Sequence, residues 1–234
     1  MTLPIIAVPT HELEIPSNKE KLTYRPFLVK EEKLLLLANE SGEDPEIINA
    51  IKQIINNCTF DKIDVETLAL FDLEYIFLNV RAKSVGEIVT LKLLCSDDKE
   101  TYADVEIDLN DIKVNFPEGH TNKIELSDTV GILMRYPQFN LVRISQKGSD
   151  TEYIFKMIKE CINQIYDGDT VFERSDFTDE DLDTFLDSLT SEHFQQLQGF
   201  FETMPKLTHD VKFKNPKTKK QNKMTLEGMQ SFFV

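Results

Sequence analysis

The segment Asp64–Ser84, DVETLALFDLEYIFLNVRAKS, restricts the fold of this chain more than any other. Wound as a helix, it places Leu68, Phe71, Leu73, Tyr75, Ile76, Leu78 and Val80 nearly all the way round the axis. A helix that is apolar on every side belongs inside a protein rather than on its surface. The spacing therefore predicts a central buried helix, capped by Asp64, with other elements wrapped around it. A chain of 234 residues is long enough to supply them.

On the N-terminal side, His11–Ile15 and Leu22–Arg25 alternate about the turn residues Pro16-Ser17-Asn18, which reads as a hairpin. The run VKEEKLLLLANES from Val29 consists of helix formers and is stopped by Ser41-Gly42. Asp44-Pro45 opens a second helix with Ile47, Ile48, Ile51, Ile54 and Ile55 at helical spacing. After Ser84 the apolar period changes to two. Glu87–Leu94 and Tyr102–Leu109 flank the polar stretch CSDDKET as a second hairpin, and Ile112–Asn115, Lys123–Leu126 and Val130–Arg135 read as further strands.

Helical spacing returns over Asp150–Tyr166, where Tyr153, Ile154, Met157, Ile158, Cys161, Ile162 and Ile165 form one stripe, and again over Leu182–Leu189 and His193–Phe201. Leu207–Phe213 and Lys223–Leu226 flank KNPKTKKQN as a closing hairpin. The pattern predicts an α+β fold: a helical body preceded by an N-terminal β-hairpin, with a β-rich insertion and a C-terminal β-hairpin. Its expected divisions are 1–84, 85–136 and 137–234, with 85–136 inserted in one helical domain.

The composition narrows function by exclusion. With 41 acidic against 26 basic residues the formal charge is −15, a surface that repels phosphate backbones and argues against nucleic-acid binding. The one basic run, Lys214–Lys223, has no interleaved aromatics and reads as a solvated loop. Three scattered cysteines, Cys58, Cys95 and Cys161, form neither a disulfide framework nor a zinc spacing, fit a reducing compartment, and sit on segments expected to be buried. The opening MTLPIIAVPTHELEIP lacks the basic region and apolar core of a secretory leader, and no stretch has the length and apolarity of a membrane span.

Catalytic patterns are equally sparse. There is no G-x-S-x-G, no phosphate-binding glycine motif and no H-E-x-x-H or H-x-H among His11, His120, His193 and His209. Asp167-Gly168-Asp169 lacks the register of a calcium loop, and Asp176–Asp183 reads as acidic residues at the positive end of a helix. No residue is assigned a catalytic, cofactor or metal role, and no small-molecule substrate is implied. The ends are apolar instead: Ile5, Ile6, Ala7 and Val8 at one, Phe232, Phe233 and Val234 at the other. Terminal apolar segments fold back on the core or bury against a partner.

Several stretches resemble the T-even-type bacteriophage baseplate hub protein family. The most specific is Tyr24-Arg25-Pro26-Phe27-Leu28-Val29-Lys30-Glu31-Glu32-Lys33, followed in order by Arg81–Glu87, Cys95, Val105–Leu109 with Asp111, Tyr136-Pro137, Phe200-Phe201 with Met204-Pro205, and Leu226–Met229 with Phe232-Phe233. The resemblance spans nearly the whole chain. It implies a non-enzymatic structural or assembly component of a contractile tail, made in the bacterial host cytoplasm and destined for the baseplate, with other tail and hub proteins as partners. It also implies an alternative, a hub assembly factor that leaves the particle; outside the resemblance, an acidic adaptor for a basic peptide and a metal-assisted hydrolase are the competing classes.

Many members of that family carry cysteine pairs in two hairpins, resembling a zinc knuckle. Here the Glu87–Leu109 hairpin has Cys95 alone and the closing hairpin has Asn215-Pro216-Lys217-Thr218. No metal role is therefore expected. The expected partner-binding residues are Tyr24, Arg25 and Phe27 in the signature and Phe232 and Phe233 at the tail, with at least one terminal ring a hub contact; for Tyr24–Phe27 the alternative is a folding role, since Pro26 and Phe27 also read as an apolar entry to the first helix.

Overall fold

The computed structural model describes residues 6–42, 44–142 and 150–232. Two compact units emerge, one formed by Met1–Asn115 with Lys206–Val234 and one by Phe116–Pro205. The fold is α+β, as the pattern predicts.

The first unit opens with the hairpin β1 (His11–Glu14) and β2 (Lys21–Tyr24), followed by α1 (Val29–Ser41), α2 (Asp44–Cys58) and α3 (Leu70–Val85). Gly42 ends α1 at φ 66°, a left-handed cap that suits glycine. The central helix is α3, whose Leu73, Ile76, Leu78 and Val80 are fully buried. It begins six residues later than Asp64 because Asp64 folds a local turn instead, its carboxylate accepting the Glu66 N–H at 3.0 Å. Ala69, with extended backbone, is the residue that precedes the first helical turn.

Strands β3 (Ile88–Leu94) and β4 (Tyr102–Asp108) make a second hairpin, in register from Ile88↔Asp108 to Leu94↔Tyr102. Strand β5 (Lys113–Asn115) lies beside the closing hairpin. Leu78 and Ala82 of α3 share one core with Leu91, Leu93, Ala103 and Ile107 of the β3–β4 hairpin and with Leu207, Val211, Phe213, Leu226 and Phe232 from the C-terminal end.

In the second unit β6 (Lys123–Glu125) and β7 (Val130–Met134) precede a short helix, α4 (Phe139–Val142), then α5 (Asp150–Cys161). The chain continues through β8 (Ile162–Asp167), β9 (Thr170–Glu173), α6 (Asp179–Asp187) and α7 (Ser191–Thr203). The four strands form an antiparallel sheet in the order β6-β7-β8-β9. Its core gathers Ile132, Ile158, Cys161, Ile162, Leu182 and Leu197, all fully buried. A Cβ on Gly131 would lie 2.0 Å from the Tyr166 hydroxyl opposite it, so only glycine lets that ring cross the strand. Beyond this unit, β10 (Lys206–Lys214) and β11 (Gln221–Glu227) return to the first unit and complete the sheet β11-β10-β5.

Two expectations change. The inserted unit is Phe116–Pro205 rather than 85–136, because β3–β5 share the core of α3 while β6 and β7 pair with β8. The helix expected over 150–166 stops at Cys161. Ile162 and Ile165 then continue as strand residues, and Gly168 at φ 57° turns β8 into β9. Among the described residues, no helix is long and apolar enough to cross a membrane.

Candidate functional site

The family-like signature Tyr24–Lys33 lies where the first hairpin enters α1, and its conspicuous side chains point inward. Tyr24 is 2% exposed, and burial pushes its hydroxyl pKa up to about 12. Arg25 donates through Nη2 to Glu31 Oε1 at 3.0 Å and through Nη1 to the Pro26 carbonyl at 2.9 Å, while its backbone N–H reaches the Cys58 carbonyl at 2.9 Å. Glu31 also accepts the Leu28 N–H at 2.8 Å, closing the first turn of α1. Burial alone would raise the Glu31 pKa, but the Arg25 and Leu28 hydrogen bonds hold it below the ordinary carboxylate value. Phe27 is half-buried against Phe77, ring centroids 5.9 Å apart, and its N–H donates to Ser84 Oγ at 2.7 Å. Tyr24, Arg25 and Phe27 thus join β2, α1, α2 and α3.

Phe232 is 1% exposed and belongs to the core around Leu78 and Leu226. A ring so enclosed cannot touch a partner while the tail stays in place, which corrects the expectation for this residue. Phe233 and Val234, like Ile5, lie outside the described residues. Just before Phe232, the Met229 N–H donates to Glu74 Oε1 at 3.1 Å. Burial raises the Glu74 pKa to about 7 against that hydrogen bond, with Glu227 adding to the rise.

The tips of the β3–β4 and β10–β11 hairpins carry the most elaborate polar arrangement. Each is built like the β1–β2 turn. In the three turns the N–H of Lys19, Lys99 or Lys219 donates to the carbonyl four residues back, on Ile15, Cys95 or Asn215, at 2.9–3.0 Å. All three lysines have positive φ, 63°, 57° and 63°. The β1–β2 turn is tied to α3, its Ser17 N–H donating to Asp72 Oδ1 at 3.0 Å. The other two turns are tied to each other. Asn215 Nδ2 donates to Asp97 Oδ1 at 2.8 Å and to Asp98 Oδ2 at 3.1 Å, Thr218 Oγ1 donates to Asp97 Oδ2 at 2.5 Å, and Asn222 Nδ2 donates to Asp97 Oδ1 at 3.0 Å. In return, Asn222 Oδ1 accepts the Ser96 N–H at 2.8 Å and the Asp97 N–H at 3.2 Å. The closing turn, expected to be a solvated loop, therefore has Asn215 and Asn222 buried at its base.

These are the two hairpins in which the resemblance implies paired cysteines and zinc. A knuckle takes its ligands from the first and fourth turn positions. Here those positions hold Cys95 and Asp98 in one turn and Asn215 and Thr218 in the other. One thiol, one carboxylate, one amide and one hydroxyl do not make a zinc donor set. The amide NH₂ of Asn215 points at the two carboxylates, and Cys95 lies in the apolar core, its pKa raised by burial and by Asp98. The residues do not fit the metal. Among the described residues, no three His, Cys, Asp or Glu side chains converge to hold an ion.

Burial likewise raises the thiols of Cys58 and Cys161, to about 11 and about 12, far from the range of a nucleophile. His120 is stacked on Tyr136 and tilted against Phe200, with Nδ1 3.0 Å from Thr203 Oγ1.

Some apolar side chains remain in water. On α1, Ala38 is buried, but Val29, Leu36 and Leu37 are 80%, 57% and 54% exposed. Val29 and Leu36 are seven residues apart and share a face. In sequence the LLLL run signals only a helix former, not which of its leucines stay in water.

No curated protein and no solved structure matches the chain. The model of the family described as T4 bacteriophage base plate protein matches residues 8–234, spanning both units, and the chain belongs to that family.

Proposed function

We propose that this protein is a building component of the central hub of a contractile-tail baseplate, acting through protein–protein contacts rather than catalysis. Membership in the baseplate family over residues 8–234 carries the reading. The exposed side of α1 supplies the contact surface: Val29, Leu36 and Leu37 stay in water in the single chain beside Lys33 and Glu40, and their burial on another baseplate protein gives a driving force. The net charge of −15 keeps free copies apart before assembly. In this reading the chain is made in the host cytoplasm and carried into the tail baseplate.

The test is a Leu36→Asp/Leu37→Asp variant co-expressed with the other tail proteins of the same phage. Both side chains are more than half exposed, so the isolated variant keeps its circular dichroism and melting temperature. It is expected to drop out of the hub complex on affinity purification. A variant that assembles like the parent sinks the α1 assignment. Mass spectrometry of purified particles then distinguishes a retained subunit from an assembly factor that leaves.

A further inference from the structure

The hydrogen-bonding capacity of the two buried amides is used in full. A side-chain amide has two donor hydrogens and an acceptor oxygen with two lone pairs. Asn215 sends its hydrogens across the gap to Asp97 and Asp98, and its oxygen accepts the N–H groups of Lys217 at 2.7 Å and Thr218 at 3.1 Å within its own turn. In a metal knuckle, turn N–H groups of this kind converge on a ligand atom; here they converge on the amide oxygen, and the other side of the same group reaches the opposite turn. Asn222 is used the other way round: it donates to Asp97 and to the Lys220 carbonyl of its own hairpin, and its oxygen accepts the Ser96 N–H and hydroxyl and the Asp97 N–H of the opposite turn.

The receiving turn is arranged to match. Asp98 takes the Thr101 hydroxyl at 2.6 Å and the N–H groups of Thr101 and Glu100 at 3.0 and 3.2 Å, leaving Oδ2 also within reach of Asn215. Hydrogen bonds from Asn215, then Thr218, hold the Asp97 pKa below the ordinary carboxylate value, and those from Thr101 do the same for Asp98. Both carboxylates are charged at neutral pH and face amide and hydroxyl donors. The turns are separated by more than a hundred residues of sequence, and the strands leading to them share the core around Leu93 and Phe213.

We propose that these two turns form a metal-free clamp, in which Asn215, Asn222 and Thr218 grip Asp97 and Asp98 and fasten the hairpin tips together in place of a shared metal ion. The fastening is indifferent to chelators, and it depends on side-chain amides specifically. The Asn215 amide both donates to the facing carboxylates and accepts from its own turn, which neither a carboxylate nor an alkyl group does. The same geometry makes the pair of turns one substitution set away from a four-thiolate site: Asp98→Cys, Asn215→Cys and Thr218→Cys would join Cys95 at the first and fourth positions of both turns.

The test uses the full-length protein. The parent is expected to hold no stoichiometric zinc and to melt at one temperature with or without EDTA. Asn215→Ala and Asn222→Ala are each expected to lower the melting temperature by several degrees. Asn215→Asp, which faces a third carboxylate toward Asp97 and Asp98, is expected to lose more than Asn215→Ala at pH 7 and to recover part of the loss at pH 4. The D98C/N215C/T218C variant, reduced and titrated with Co²⁺, is expected to show thiolate-to-cobalt absorption and a melting temperature that falls on chelation. A parent that loses a bound metal and melts lower in EDTA overturns the proposal. So does an Asn215→Ala protein that melts with the parent, or an Asn215→Asp protein no worse than Asn215→Ala at pH 7. A triple-cysteine variant with native circular dichroism and no cobalt spectrum removes the claim that the turns share a metal-site geometry.

Discussion

The closing hairpin is held at its two ends by opposite physics. At the base, Leu207 and Leu226 join Phe232 in an apolar core, and the polar contacts there include the Met229 N–H on Glu74 and the Lys206–Glu227 ion pair. At the tip, the fastening consists of amides and carboxylates, with Asp97 and Thr218 reaching toward solvent. Apolar contact is non-directional and set by area, so the base tolerates small shifts but not loss of volume. The tip is directional, and an error of one atom type at Asn215 breaks several bonds at once. The hairpin therefore draws most of its stability from one end and its exact placement from the other.

Four experiments press on that difference. Deleting residues 229–234 attacks the base. It removes the buried Phe232 ring, a loss of roughly 3–5 kcal/mol for a core Phe, together with the hydrogen bond on Glu74, so the melting temperature should fall sharply and aggregation should precede any addition of partners. A shortened chain as stable as the parent would show that the tail adds nothing to the core.

The next largest effect tests a buried charge rather than a buried amide. Glu31→Ala strands Arg25, which is 8% exposed, and is expected to cost roughly 3 kcal/mol by denaturant titration. The double replacement Arg25→Met/Glu31→Leu should cost less than the single one, since no charge is left without a partner. At the tip, Asn215→Ala should cost about 1–3 kcal/mol, less than either of these, and leave the unfolding slope unchanged. A tip variant more damaging than the tail deletion would reverse the ranking.

The smallest effect is in pH, and its sign differs between the ends. Because the Glu74 pKa is raised to about 7, its contribution is full below the ordinary carboxylate value and is lost as pH rises toward 7. Asp97 and Asp98 are depressed, so their contribution is full above that value and is lost as pH falls below it. Glu74→Gln should flatten the decline between about pH 4.5 and 7 and leave the acid limb alone.

Much of the architecture was legible because its cause is local. The periodicity over Ile47–Ile55 and the alternation over Glu87–Leu94 and Tyr102–Leu109 each place an element where the structure has one. The 150–166 segment misleads because Ile162 and Ile165 fit a helical stripe as well as a strand, and the hairpin signal of the Asp167-Gly168 pair lies just beyond it. The partner residues were harder. Tyr24, Arg25 and Phe232 look like anchors on paper, but an aromatic or Arg that binds a partner and one that binds its own chain have the same composition. The clamp was out of reach for a different reason: Asp97 and Asn215 are brought together by two hairpins folding on one core, and no spacing along the chain records it. The lysines at the three left-handed turn positions gave no warning either, since that conformation is expected of Gly or Asn.

One pairing in the first unit bears on how such a chain can change over generations. Asn115 and Lys206 are opposite one another on β5 and β10, so everything from Phe116 to Pro205 departs from and comes back to a single rung of one ladder. Opposed residues in an antiparallel pair stand about 4.5–5.5 Å apart, the width that an ordinary two-residue turn closes. Recombination at that rung can lengthen, shorten or exchange the inserted segment without moving the register of any strand around α3. For the ladder to close, the inserted segment has to bring its two ends back to that one spacing.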